Sequence, residues 1–288
     1  MRISILGGGP AGLYLAYLLQ RQQPGHQIEV YEQNAPDATF GFGIAFSDRA
    51  LDFLRRDDPD TYEAILPAME QWRDSILYLK GQEVRIDGMN YAGIGRLELL
   101  KILQARARSV GIEPVYGRTI RSLDELGSPD ILIGSDGANS LVRRTHQAGF
   151  GTATKVLNNH FAWYGTSRHF EALGHTFVEN EMGTFNAHFH PHAPDMSTFV
   201  VEVDDATFKR AGFDRMTLEE ALAFDAIGCA HDGAGTAAQV FDHPVPGGFQ
   251  VFGKFELRDG GRAPGRRPER LVRMGYGDAQ DRRFARGG

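Results

Sequence analysis

A parallel α/β layer joined to a second, antiparallel sheet is the fold class this sequence predicts, on three observations. A glycine-rich turn, Gly7 to Gly12, stands between a short apolar run and a helical stripe. Strand-like and helix-like patterns then alternate through the first half of the chain. From about Asn158 the apolar period changes to two, the spacing of a strand with one face buried.

Taken in order, Ile3 to Leu6 is the first strand, and Leu13, Leu15, Ala16, Leu18 and Leu19 give the following helix its apolar stripe. Ile28 to Glu32 is the second strand and completes a βαβ unit. Helical patterns follow at Asp48 to Arg55, Thr61 to Trp72 and Leu97 to Ala107, and Ile131 to Gly134 reads as a short buried strand. Further on, Phe161 to Tyr164, Thr184 to His190 and Ser197 to Val203 alternate as antiparallel strands, with Leu218 to Phe224 a helix behind them. The expected domains are 1–155 for the nucleotide-binding layer, with a helical insert at about 45–95, and 156–250 for the antiparallel sheet. Residues 251–288 form an atypical basic, Gly/Arg-rich tail.

Composition removes several classes. With 42% apolar and 24% charged residues in 288, the chain is globular rather than disordered, collagenous or coiled-coil. The formal charge of −6 leaves no basic stripe for a nucleic-acid partner. The lone Cys229 cannot make an internal disulfide, which places the chain in a reducing compartment. No run approaches the roughly 20 apolar residues of a membrane helix, and Gly7-Gly8-Gly9-Pro10 interrupts the apolar start, so a cytoplasmic location with no membrane partner is expected. Charge is uneven: residues 251–288 are net positive by about 5, and the rest is near −11.

Gly7-Gly8-Gly9-Pro10-Ala11-Gly12 matches G-x-G-x-x-G in its proper setting, after a strand and at the start of a helix, with Glu32 twenty residues beyond Gly12. In a Rossmann-like unit Gly7 allows the tight turn, Gly9 lets a pyrophosphate approach, and Gly12 lets helix and strand close up. Pro10 and Ala11 open the helix whose N-terminus faces the phosphates, and Glu32, beside Gln33, accepts from an adenosine ribose. FAD and NAD present the same ADP half, so the motif leaves them open.

A buried strand leads into Asp130-Ile131-Leu132-Ile133-Gly134-Ser135-Asp136-Gly137, and Arg96 heads Arg96-Leu97-Glu98-Leu99-Leu100. With the glycine turn, these resemble the class A FAD-dependent aromatic hydroxylases. Phe40 to Asp48, Trp163 to Ser167 and Met196 to Glu202 look more closely like the salicylyl-CoA 5-hydroxylase and 2-aminobenzoyl-CoA monooxygenase branch, and the last two segments also resemble the violacein-pathway flavin hydroxylase. The resemblance spans roughly residues 1–225. It implies a class A flavin monooxygenase fold, FAD as cofactor, NAD(P)H as reductant, O2 as co-substrate and an aromatic or aryl-CoA substrate. Carried over by position, Arg96 lies by the flavin pyrophosphate, and Asp136 and Gly137 serve the pyrophosphate and NAD(P)H steps. A patch for a CoA phosphate would be sought among Arg49, Arg55, Arg56 and Arg73.

On the predicted strand His188 and His190 share one face, with Phe185, Ala187 and Phe189 on the other and His192 beyond Pro191 outside the alternation. No third ligand is spaced for a metal, and none is expected. A neutral histidine beside a phenol can take its proton, so His188 and His190 are the candidate catalytic residues, with Asn186, Trp163 and Tyr164 lining the site. The family's second flavin motif is sought at Gly277-Asp278-Ala279, with Asp278 the cofactor-binding residue. Its setting departs from the pattern: Arg273 interrupts the strand before it, and only ten residues follow Asp278, so an altered or truncated C-terminus is expected. A homodimer is one way to complete the site. A non-catalytic remnant of the fold and an NAD(P)-dependent reductase stay open as other classes.

Overall fold

The computed structural model describes residues 1–217, Glu220 and a strand at Gly253–Asp259. Its elements, in chain order, are β1 (Arg2–Leu6), α1 (Pro10–Gln22), β2 (Gln27–Tyr31), β3 (Gly43–Ser47), α2 (Asp48–Asp57), α3 (Pro59–Ile65), β4 (Glu70–Trp72), β5 (Ser75–Leu79), β6 (Gln82–Ile86) and β7 (Tyr91–Gly95). There follow α4 (Arg96–Ser109), β8 (Ile131–Gly134), α5 (Leu141–Thr145), α6 (Gln147–Phe150), β9 (Ala153–Thr166), β10 (Leu173–Asn180), β11 (Gly183–Ala193), β12 (Met196–Val203), α7 (Asp205–Ala211) and β13 (Gly253–Asp259).

Two units divide the chain, the first built from Met1–Phe40 and Arg96–Lys155. Its sheet is parallel, in the order β2-β1-β8, with Ile3 facing Ile28 on one side and Ile131 on the other. The central strand is therefore the one whose residues from Ile3 on are all buried. Pro10 starts α1 at the position where its missing N–H costs nothing. Leu13, Ala16 and Tyr17 of α1 are buried, as are Leu99, Leu103 and Ala107 of α4, and the two helices pack together. Tyr17 marks that seam: the guanidiniums of Arg21 and Arg106 lie over its ring, and both donate to its hydroxyl.

The second unit holds Gly41–Gly95 and Val156–Phe255. Its seven-stranded sheet runs β13-β9-β12-β11-β10-β5-β6, and a small sheet runs β3-β7-β4. The core lies on one face of the large sheet, where Ala162, Tyr164, Phe170, Phe185, Ala187, Phe189, Phe199, Val201 and Phe213 are buried together. Phe189 stacks on Phe199 at 5.5 Å between ring centres.

Several expectations need correction. The segment at 45–95 is not a helical insert in the nucleotide-binding layer: it groups with the second unit and mixes the helices α2 and α3 with the strands β3 to β7. The helix expected through Trp72 stops at Ile65, because Pro67 cannot continue an α-helical ladder, and Trp72 instead pairs with Tyr91 in a strand. The hairpin of β5 and β6 turns at Lys80 and Gly81, both at positive φ, the backbone of a two-residue turn that matches strand twist. Finally, β11 runs on through His192 to Ala193. Pro191 is tolerated because β10 has ended at that point, so no ladder donor is missed, and the register shifts beside it. Of the expected helix at Leu218 to Phe224 only Glu220 is described, and of the expected basic tail only β13, which is a strand of the large sheet; Cys229 and Asp278 lie outside the described residues.

Candidate functional site

In the first unit the predicted nucleotide residues gather at the C-terminal ends of β1, β2 and β8. Gly7 has φ of +107°, and a side chain there would run into the carbonyl of Ser135. A Cβ on Gly12 would strike the Gly7 carbonyl oxygen, so helix and turn approach as closely as the motif requires. Ser135 Oγ lies within hydrogen-bond distance of the Leu6 and Gly7 carbonyls, at 3.0 and 2.8 Å, and ties the turn to the end of β8. In front of Gly9 there is open space, no side chain caps the α1 N-terminus, and Pro10 and Ala11 are exposed beside it. The backbone N–H groups of that first turn are available to an anion.

Glu32 does more than end a strand. Its Oε2 accepts from the Gly8 N–H at 2.8 Å, and its Oε1 accepts from the backbone and side-chain nitrogens of Asn34 at 2.8 and 2.7 Å. Oε1 is filled by those two donors, whereas Oε2 keeps a lone pair for a ribose hydroxyl. Gln33 is exposed next to it. Asn34 went unnoticed in the sequence, though a short amide two residues after an acid is a local hydrogen-bonding signal.

Asp136 splits its carboxylate. Oδ2 accepts from the Leu141 N–H at 2.6 Å, whereas Oδ1 is buried with no hydrogen-bond partner among the described residues. Gly137 follows at φ of +76° with open space beside it. Ser140 caps α5 by accepting from the Arg143 N–H, and Arg143 and Arg144 turn back to the carbonyls of Ala138 and Asn139. Arg96 is the first residue of α4, half-buried at the start of the helix that covers α1.

In the second unit three sequence-distant segments meet. A Cβ on Gly41, whose φ is +85°, would lie 2.7 Å from the Trp163 indole, and Gly165 abuts Phe42 and Met196. The Gly43 N–H donates to Thr198 Oγ1 at 2.9 Å, and that hydroxyl sits 3.1 Å from His192 Nδ1. The Thr198 hydroxyl has one donor and two acceptor sites, so after accepting from Gly43 it still has both a proton and a lone pair for His192 Nδ1, and the ring tautomer sets which is used. This clasp joins the segments 40–48, 163–167 and 196–202.

The sheet face opposite the core carries the histidines. Trp163, Val200, His188 and His175 stand in one row across β9, β12, β11 and β10, and Glu202, Asn186 and Phe177 in the next. His188 Nδ1 is 3.8 Å from Glu202 Oε1, beyond direct hydrogen bonding, and its ring centre is 5.7 Å from that of His175. Burial first, then the neighbouring His175 and His190, hold His188 down at about 4, so it is neutral at pH 7. Burial likewise lowers His175 and His190 and raises Glu202. His190 stacks on Trp72 at 5.8 Å, with Nδ1 3.0 Å from the Pro191 carbonyl oxygen. Tyr164, one step from Trp163, falls on the core face rather than in this lining. Among the described residues no three His, Cys, Asp or Glu converge as a metal site, and no helix is long and apolar enough to cross a membrane. Arg55 and Arg56 are exposed and bonded to Asp52 and Asp57 on or beside α2.

A model of the NAD(P)-binding Rossmann-like domain matches residues 5–37, the span of β1, the glycine turn, α1, β2 and Glu32. Salicyloyl-CoA 5-hydroxylase from Streptomyces sp. is 34% identical over 267 residues, 90% of this chain and 50% of the relative. The chain is similar to proteins named as hydroxylases and monooxygenases. Among them, 3-hydroxy-4-methyl-anthranilyl-[aryl-carrier protein] 5-monooxygenase from Streptosporangium sibiricum is 32% identical over 206 residues, covering 72% of this chain and 58% of the relative. The chain thus spans about half the length of the curated relatives it matches. Its fold is that of 2-methyl-3-hydroxypyridine-5-carboxylic acid oxygenase, solved in a tetrameric form: TM-score 0.72 at 16% identity, over 90% of this chain and 71% of that one.

Proposed function

We propose that this chain holds FAD and acts in the hydroxylation of an aromatic ring, free or as an aryl-CoA thioester, with NAD(P)H and O2. The observation that carries the reading is the 34% identity to salicyloyl-CoA 5-hydroxylase across 90% of the chain. The residues fit the ADP portion of the cofactor: open space before Gly9, an uncapped helix N-terminus, and a buried Asp136 Oδ1 still wanting a donor. Gly7, Gly9, Pro10, Ala11 and Gly12 would cradle the pyrophosphate, Glu32 and Gln33 the ribose, and Arg96, Asp136 and Gly137 the remaining phosphate side. When bound, FAD supplies the electron acceptor for NAD(P)H and the place where dioxygen is activated.

The chain's own residues bind, orient and move a proton. His188 is uncharged at neutral pH and mostly buried on the sheet face, placed to accept a hydrogen bond from a ring hydroxyl and draw on its proton, although a ring held at about 4 is a weaker base than an ordinary histidine. His190, stacked on Trp72, serves as wall. The reading includes a cytoplasmic location and a homodimer, the latter checked by light scattering.

The test is the visible spectrum of purified protein with FAD, then with NAD(P)H in air. Flavin bands that bleach and recover support the reading. Failure to take up FAD, with tight NAD(P) binding, would instead favour a reductase, the class suggested by the domain model over residues 5–37.

A further inference from the structure

Beside His188 the sheet face carries two side-chain acceptors, Asn186 and Glu202, that no donor of the described residues reaches within hydrogen-bond distance, although the neutral imidazoles and the Trp163 indole around them each carry an N–H. Asn186 Oδ1 is buried without a partner among the described residues. Directly across the strand pair stands Glu202, its side chain 20% exposed, with no lysine or arginine within 4 Å among the described residues and His188 Nδ1 at 3.8 Å its charged-type neighbour. The groups facing this pair are His188 and His190 from β11 and His175 from β10, all held neutral by burial. Trp163, Val200 and Phe177 supply apolar surface around them. A buried acceptor left unpaired is costly, and a half-buried carboxylate without a cation repels anions.

We propose that Asn186 and Glu202 are specificity-determining residues: they accept hydrogen bonds from a hydroxyl or amino substituent on the aromatic substrate, and Glu202 turns away rings that carry a free carboxylate. The proposal rests on the hydroxylase reading for the kind of ligand and adds which substituents the face selects. Loss of one such hydrogen bond at a site built for it is worth about tenfold in affinity.

The test is calorimetric titration of the FAD-supplemented chain at pH 7.5 with salicylamide, 2-methoxybenzamide, benzamide and salicylate. Salicylamide should bind about tenfold more tightly than its methoxy analogue, which cannot donate. Asn186→Leu should bring that ratio close to one while benzamide affinity is retained, which also reports that the face is intact. Glu202→Gln, which keeps an acceptor oxygen and removes the charge, should preserve the preference and improve salicylate binding about tenfold. Equal affinities for salicylamide and the methoxy compound in the natural chain, or an Asn186→Leu ratio that does not move, overturn the proposal. So does the absence of any amide binding while flavin reduction by NAD(P)H is intact, an outcome that leaves the hydroxylase reading standing. A hydroxyl preference that needs Asn186 in a protein that never takes up flavin keeps this proposal and removes the other.

Discussion

Trp163 covers the backbone of Gly41 so closely that a single methyl group at position 41 would come within 2.7 Å of the indole. Gly41 also sits at φ of +85°, where an L side chain is strained. Gly41→Ala should therefore destabilise the second unit by about 2–4 kcal/mol, combining the backbone and overpacking costs. Urea unfolding followed by tryptophan fluorescence measures it. Adding Trp163→Leu should recover part of the loss, and no recovery would show that backbone strain alone is responsible.

Thr198 links β3 to β11 through one hydroxyl. Thr198→Val keeps the shape but strands the buried Gly43 N–H, a loss of about 1–3 kcal/mol. Thr198→Ser should keep most of the stability, and equal melting temperatures for the two variants would sink the account.

In the proposed cradle, Glu32→Ala removes the acceptor of the Gly8 and Asn34 N–H groups as well as the proposed ribose contact. FAD affinity should fall by about 10- to 100-fold, equivalent to roughly 1.4–2.8 kcal/mol. Glu32→Gln should fall less, because an amide oxygen still accepts. Flavin fluorescence titration checks both.

Acid should unfold this protein early. His188 and His192 are held at about 4, both chiefly by burial, against an ordinary value of 6.5. As pH falls from about 6.5 to 4 the unfolded chain takes up these protons and the folded one does not. Stability is full above that window and declines through it, by on the order of 3 kcal/mol for each ring. Urea midpoints measured from pH 4 to 8 should show the slope, and His188→Asn should flatten it.

Glu202 carries the opposite sign. Burial raises its pKa, so stability associated with the neutral carboxyl is present at low pH and lost as pH rises through its folded value. Glu202→Gln should stabilise the chain at pH 7 and change little at pH 4. A gain of equal size at both values would count against a buried charge.

The βαβ unit with its glycine turn was the most legible part of the sequence, because glycine spacing, strand, helix and Glu32 are all local to residues 3–32. The same holds for the alternation of β11 and β12, which sorted Phe189 from His188 correctly. What escaped is set by distance and by breakers. Ser135 reaches the Leu6 carbonyl across a separation of 129 residues, and no local pattern announces it. Trp72 read as helix because its apolar neighbours fall at helical spacing, until Pro67 is given its due. The β5–β6 hairpin was hidden by an exposed strand with little alternation of burial, though Lys80-Gly81 was a usable turn signal. His192 was set aside on the strength of Pro191, which a strand can hold where no partner waits on its N–H side.

The central strand of the parallel sheet waits for its second neighbour. β1 pairs with β2 almost at once, yet β8 leaves the ribosome only after the long stretch from Gly41 to Gly95, which belongs to the other unit, and α4 have been made. Until then the apolar edge of Ile3 and Ile5 stands open during synthesis, a template for pairing with any nearby chain. Nascent chains stalled before Ile131 should aggregate or recruit chaperones, and those extended past Val142 should not. Ribosome-bound fragments of graded length, assayed for solubility on release, would reveal where that protection begins.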